Sequence, residues 1–96
     1  MEVTARRPLL TVGRGELSGI VIRNDKVSRL HARIKFCALG FTLTDQSSNG
    51  TYVADSAGTT CMVQNDTHLL EGMGTISFGI DPATGQPHFV RYAVSP

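Results

Sequence analysis

A chain of 96 residues, 41% hydrophobic and 18% charged, has room for one domain with a modest core, and no apolar stretch approaches the ~18 residues of a membrane span. The net charge of +1 conceals a split: residues 1–35 carry eight basic residues against three acidic, and residues 36–96 carry one against five, so the first third presents a positive field to anionic partners. Without the long apolar core of a secretory signal the expected location is cytoplasmic, where Cys37 and Cys61 are expected as free, buried thiols. No Cys/His spacing suggests zinc, and His31, His68 and His88 are too scattered to argue for a metal.

In chain order, Leu9-Leu10-Thr11-Val12 reads as a strand stopped by Gly13, and Ile20-Val21-Ile22 as a short strand rich in β-branched residues. Ala32 to Phe36 alternates, with Ile34 and Phe36 on one face and Arg33 and Lys35 on the other. Gly40 marks a turn, and Phe41 to Asp45 alternates again. Asn49-Gly50 is a strong turn dipeptide, followed by Thr51-Tyr52-Val53. Residues 54–60, small and polar, suit a loop, and Cys61-Met62-Val63 restores apolar character. Thr67 to Met73 fits a helical turn. Thr75 to Phe78 follows two glycines, residues 81–87 form a turn-rich connection, and His88 to Val94 makes a final strand. Many short strands at regular spacing in about 100 residues point to an all-β sandwich or barrel. Sequential strands make it mostly antiparallel.

Three polar segments interrupt this pattern. In Gly13-Arg14-Gly15 a guanidinium, whose planar fork matches phosphate oxygens, sits between glycines that allow close backbone approach. In Val27-Ser28-Arg29-Leu30-His31-Ala32, Ser28 offers a hydroxyl, Arg29 a second cation, and His31 a ring that can brace the loop. In Asp45-Gln46-Ser47-Ser48-Asn49-Gly50-Thr51, the bland alternative is a plain hairpin with a type I′ Asn-Gly turn. A Ser/His pair also suggests nucleophilic catalysis. No acid to orient the histidine and no nucleophile elbow are evident, so the chain does not read as an enzyme. Asn49-Gly50-Thr51 and Asn65-Asp66-Thr67 are glycosylation sequons by spelling, set aside as chance without a secretory signal.

The order of the segments says more than any one of them. Gly-Arg, then Ser-Arg-x-His-Ala fourteen residues on, then Asp-x-Ser-Ser-Asn-Gly-Thr, then Gly-x-Ile-x-Phe-Gly at residues 74–79, resembles the forkhead-associated (FHA) domain. The likeness covers residues 9–79, with a closing strand over 88–94, and residues 1–96 read as a single domain. The run from Gly13 to Ile34 is similar to FHA modules attached to bacterial signalling proteins such as nucleotide cyclases. The resemblance implies an antiparallel β-sandwich of about eleven short strands with ligand loops at one end. It implies recognition of phosphothreonine in an extended peptide, without a cofactor.

Carried over residue by residue, the resemblance gives Arg14 the phosphate directly, with Ser28, Arg29 and Ser48 as further donors. Asn49 would hold the peptide main chain, and Lys26 would read a flanking residue. Gly13, His31 and Gly50 would shape the loops. The departures are Gly19, where the family often has Asp or Asn, Gln46 in place of an apolar residue, and an irregular segment after Val53. The expected partner is a phosphothreonine-containing protein, and the expected setting a larger signalling protein. The alternative within the fold is a phospho-independent interaction domain. Nucleic acid fits poorly, because single-strand binders interleave aromatics with cations and residues 1–35 contain no Phe, Tyr or Trp. A membrane partner is not expected.

Overall fold

The computed structural model describes residues 2–3, 9–37, 40–82 and 89–94. Ten strands run through them: β1 (Glu2–Val3), β2 (Leu9–Gly13), β3 (Ile20–Val21), β4 (Ala32–Cys37), β5 (Gly40–Asp45), β6 (Thr51–Asp55), β7 (Thr60–Val63), β8 (Thr67–Leu70), β9 (Met73–Phe78) and β10 (Phe89–Val94). They form two five-stranded sheets, one in the order β1-β10-β9-β6-β7 and the other β3-β2-β4-β5-β8. The all-β sandwich holds, with ten strands among the described residues against about eleven expected. It is antiparallel except at two edges, where β1 pairs with β10 and β2 with β3 in parallel.

The alternation that marks the strands in sequence is the alternation of burial. In β5, Phe41, Leu43 and Asp45 point inward while Gly40, Thr42 and Thr44 are half-buried on the outside. Val12, Ile34, Leu43, Val53, Leu70, Ile76 and Phe78 supply most of the apolar volume between the sheets. Burying each such side chain contributes ~1.5–3 kcal/mol, which is why a two-layer sandwich closes in so short a chain.

Three expectations change. Thr67 to Met73 is not a helical turn: Thr67–Leu70 pairs with β5, Leu70 opposite Phe41 and His68 opposite Leu43, because Leu70 is buried by joining that sheet. Residues 54–60 are not one loop, since Ala54 and Thr60 pair across β6 and β7. The turn shrinks to Ser56–Thr59, held by Asp55 Oδ1 accepting from the Ala57 and Thr59 N–H groups at 3.0 and 2.9 Å. Cys61 is a free thiol, but an exposed one. The Cys37 side chain, His88 and the 83–87 part of the turn-rich connection lie outside what is described.

The register also sorts the molecule into two ends. β2, β5 and β9 finish, and β4 and β6 begin, at the end where residues 13–19, 22–31 and 46–50 emerge.

Candidate functional site

The first loop leaves β2 at Gly13. Arg14 N–H donates to the Ser28 carbonyl at 2.9 Å and Gly15 N–H to the Arg29 carbonyl at 3.0 Å, so the two loops run side by side. This approach depends on glycine: a Cβ at Gly13 would run into the Arg29 carbonyl oxygen. The Arg14 side chain is exposed, yet its Nε–H donates to the Val27 carbonyl at 3.0 Å. One of five guanidinium N–H groups is thereby spent on anchoring, and the two terminal amines are left to an outside acceptor.

The second loop begins as an Asx turn. Asn24 Oδ1 accepts from Lys26 N–H at 2.9 Å and the Asn24 carbonyl from Val27 N–H at 3.0 Å, a local bond typical of Asn. Val27 turns into the core. His31, wholly buried, then braces the loop. Its Nδ1 accepts from Ser28 N–H at 3.1 Å, so the ring proton resides on Nε2, which donates to the Gly50 carbonyl at 2.7 Å. The ring stands edge-on to Phe78 with centroids 5.5 Å apart. Burial lowers the His31 pKa below its ordinary 6.5, against the opposing pull of the Gly50 carbonyl and of Asp45. A neutral ring is also what the Ser28 bond requires.

The third loop is curled around Asp45. Oδ1 accepts from the Ser47 hydroxyl at 2.6 Å and the Thr51 hydroxyl at 2.7 Å. Oδ2 accepts from Ser47 N–H at 3.1 Å and Asn65 N–H at 2.9 Å. Burial alone would raise the Asp45 pKa, but the bonds from Ser47, Asn65 and Thr51 outweigh it and hold the carboxyl below its ordinary value. Ser47 Oγ in turn accepts from Gly50 N–H at 2.7 Å. With Ser47 and Gly50 drawn inward, Ser48 and Asn49 stand out into solvent. The bend needs the positive φ of Gly50, +86°, a conformation glycine adopts without strain. It is not a type I′ hairpin: Asn49 has no positive φ, and β5 and β6 lie in different sheets.

The loops are bonded to one another. Ser48 N–H donates to Ser28 Oγ at 3.2 Å, so the Ser28 hydroxyl proton is left to point elsewhere. Asn49 Nδ2 donates to the Lys26 carbonyl at 2.8 Å, and Gln64 Nε2 holds the Ser48 carbonyl at 3.0 Å. The Gly50 carbonyl accepts from Gly79 N–H at 2.9 Å as well as from His31. Arg14, Ser28, Ser48 and Asn49 are therefore brought together on one end of the sandwich. Lys26 is exposed beside Asn49, and Arg29 shares an open cleft with Arg14. Gly13, His31 and Gly50 hold the loops in shape.

Asp45, Ser47, Thr51 and Gln64 also support these loops, a role that the residue types alone do not reveal. The Asp-x-Ser spacing, an Asx-turn signature, was the available signal. Among the described residues no group of His, Cys, Asp and Glu could hold a metal ion, and no helix is long and apolar enough to cross a membrane.

Comparison with known proteins agrees with the fold. An engineered FHA domain with a Myc-pTBD peptide is similar at 26% identity and a TM-score of 0.68, over 88% of this chain and 65% of that one. The FhaA FHA domain, complexed with the intracellular domain of Rv3910, matches at 28% identity with a TM-score of 0.58, over 80% of this chain and 78% of that one. The N-terminal FHA domain of Saccharomyces cerevisiae Rad53p, in complex with a phosphothreonine peptide, shares the fold at 22% identity with a TM-score of 0.65, over 88% and 67% of the two chains. No curated protein matches. The FHA domain family model matches residues 10–79, from the second residue of β2 to the glycine after β9, and the chain therefore belongs to the FHA domain family.

Proposed function

We propose that the chain is a phosphothreonine-dependent peptide-binding module that serves signalling without catalysing a reaction. The observation that carries this reading is the Arg14 guanidinium, tethered by Nε to the Val27 carbonyl, on a loop bonded through its backbone to Ser28, whose hydroxyl oxygen in turn holds the Ser48 N–H. A phosphate of charge near −2 calls for a cation and several donors, and this end offers both. Arg14, Ser28 and Ser48 take the phosphate, and Arg29 adds positive charge beside it. Asn49, whose amide nitrogen already holds the Lys26 carbonyl, keeps its amide oxygen for a peptide N–H. Lys26 reads a flanking residue.

Relatives support the ligand class: the Rad53p domain is described with a phosphothreonine peptide. Catalysis is disfavoured by His31, because Nδ1 is taken by Ser28 N–H and Nε2 by the Gly50 carbonyl, so neither ring nitrogen is placed to deprotonate a hydroxyl. The natural setting we propose is the cytoplasm, as one domain spanning residues 1–96, with a core over 9–79 and a closing strand over 88–94, within a larger signalling protein.

Titration with a degenerate phosphothreonine peptide library, its phosphoserine twin and its unphosphorylated twin tests the proposal. Binding should require phosphate and favour threonine several-fold, about what one buried methyl contributes at ~1 kcal/mol. Arg14→Ala should weaken phosphopeptide binding by roughly ten- to hundredfold, since each charge-assisted hydrogen bond is worth ~1.5–3 kcal/mol. Equal binding of all three libraries would overturn the proposal in favour of a phospho-independent interaction domain.

A further inference from the structure

We infer that the cleft beside Arg14, walled by Leu17 and Leu30, takes an aliphatic side chain of the phosphorylated partner, on the side of the phosphothreonine away from Lys26. This rests on the phosphothreonine reading above and extends it to the sequence of the ligand. Leu17 is 100% exposed and Leu30 is 38% exposed. Single exposed leucines are ordinary on a protein surface. These two instead share a cleft with Thr11 and Arg29, and that cleft continues, across Leu17 and Arg29, into the one that Arg14 lines.

The wall is not a loose loop. Gly15 N–H donates to the Arg29 carbonyl and Ser18 N–H to the Gly15 carbonyl, both at 3.0 Å, and the Ser18 hydroxyl reaches the Arg29 carbonyl at 3.4 Å. Leu17 sits on a bonded turn, so a ligand that covers it has little chain to order first. No core contact accounts for Leu17.

The hydrogen bonds give the order along the surface. Lys26 and Asn49 form one flank, Ser28 and Ser48 with the Arg14 guanidinium, tethered to the Val27 carbonyl, the middle, and Gly15, paired with Arg29, begins the other. An extended peptide advances ~3.3 Å per residue, so with its phosphate at Arg14 a residue one to three positions along reaches Leu17 on one flank only. The side chain it brings is aliphatic because Leu17 and Leu30 line the cleft together with Thr11, Gly15 and Ser18, and Arg29 is the charged residue among them.

Fluorescence anisotropy with phosphothreonine peptides, carrying Leu or Ala at each of the three positions on either side, decides it. Leucine should bind about three- to tenfold more tightly than alanine on one flank only, roughly the effect of burying one or two methylene-sized increments of area. Leu17→Ser should erase that preference without weakening the alanine peptides or shifting the melting temperature, and Lys26→Ala should leave the preference intact. Indifference to leucine at every position, with phosphate dependence intact, would overturn this inference alone, as would a leucine preference that survives Leu17→Ser and Leu30→Ser. Binding that ignores the phosphate would overturn the underlying reading and this inference with it.

Discussion

His31 has no surface of its own, yet it connects two of the ligand loops through its two ring nitrogens. Protonating Nδ1 would remove the acceptor for Ser28 N–H and place a charge in the core. Unfolded, His31 takes up a proton as the pH falls through its ordinary 6.5; folded, burial delays uptake to lower pH. In that window the unfolded state binds more protons, so this contribution to stability is present above pH 6.5 and lost as pH falls below it. The unliganded protein should therefore melt at progressively lower temperature from pH 7 to pH 5, with the Ser28 amide resonance shifting in parallel. A Ser28 resonance that stays fixed through this range would contradict the bracing role. The unliganded state is the right one to measure, because the phosphate of a ligand titrates near pH 6 itself. At this scale the sequence was informative wherever a polar residue had no work in a core: Arg14, Ser28, Ser48 and Asn49 stood out for that reason. Asp45 and Ser47 did not, because a carboxylate and a hydroxyl at a turn look alike whether they face water or, as here, each other in a buried pocket.

Among elements, the close passage of the 13–15 and 28–29 segments is the most demanding contact at the site. Gly13→Ala would press a methyl group on the Arg29 carbonyl. The strand end has to move, at a cost of about 2 kcal/mol or more, and Arg14 moves with it. We expect a lower denaturant midpoint together with at least a tenfold loss of phosphopeptide affinity. Unchanged affinity would show that the position of Arg14 does not depend on this passage. Strands with one buried and one open face were legible from sequence, as in β4 and β5, because burial repeats with the pleat. Thr67–Leu70 was not: two adjacent leucines followed by Glu and Met carry a helical preference, and pairing with β5 overrides it. The Asn49-Gly50 step was legible as a turn but not as the crossing from one sheet to the other, since which sheet a strand joins depends on distant partners.

For the whole molecule, charge follows the fold. Arg14, Arg23, Lys26 and Arg29 lie on the ligand loops against Glu16 and Asp25, while Asp55 ends β6 and Glu71 follows β8 at the far end. An anionic peptide approaching the loops meets an excess of cations there, an attraction that salt screens over ~10 Å at 0.1 M. Phosphopeptide affinity measured by calorimetry should fall several-fold between 50 and 500 mM salt, and the Arg14→Ala variant should show a shallower dependence. A flat salt response in the parent would remove electrostatics from the account.

The Gly50 carbonyl oxygen has one further consequence. It accepts from His31, at the start of a strand in one sheet, and from Gly79, at the end of a strand in the other. A single atom thus clasps the two layers where the loops emerge, and the loops are set before any ligand arrives. A partner that meets a finished surface has no folding step to wait for. Its arrival is then governed by collision and charge, and the choice among competing phosphopeptides is made by how long each one stays.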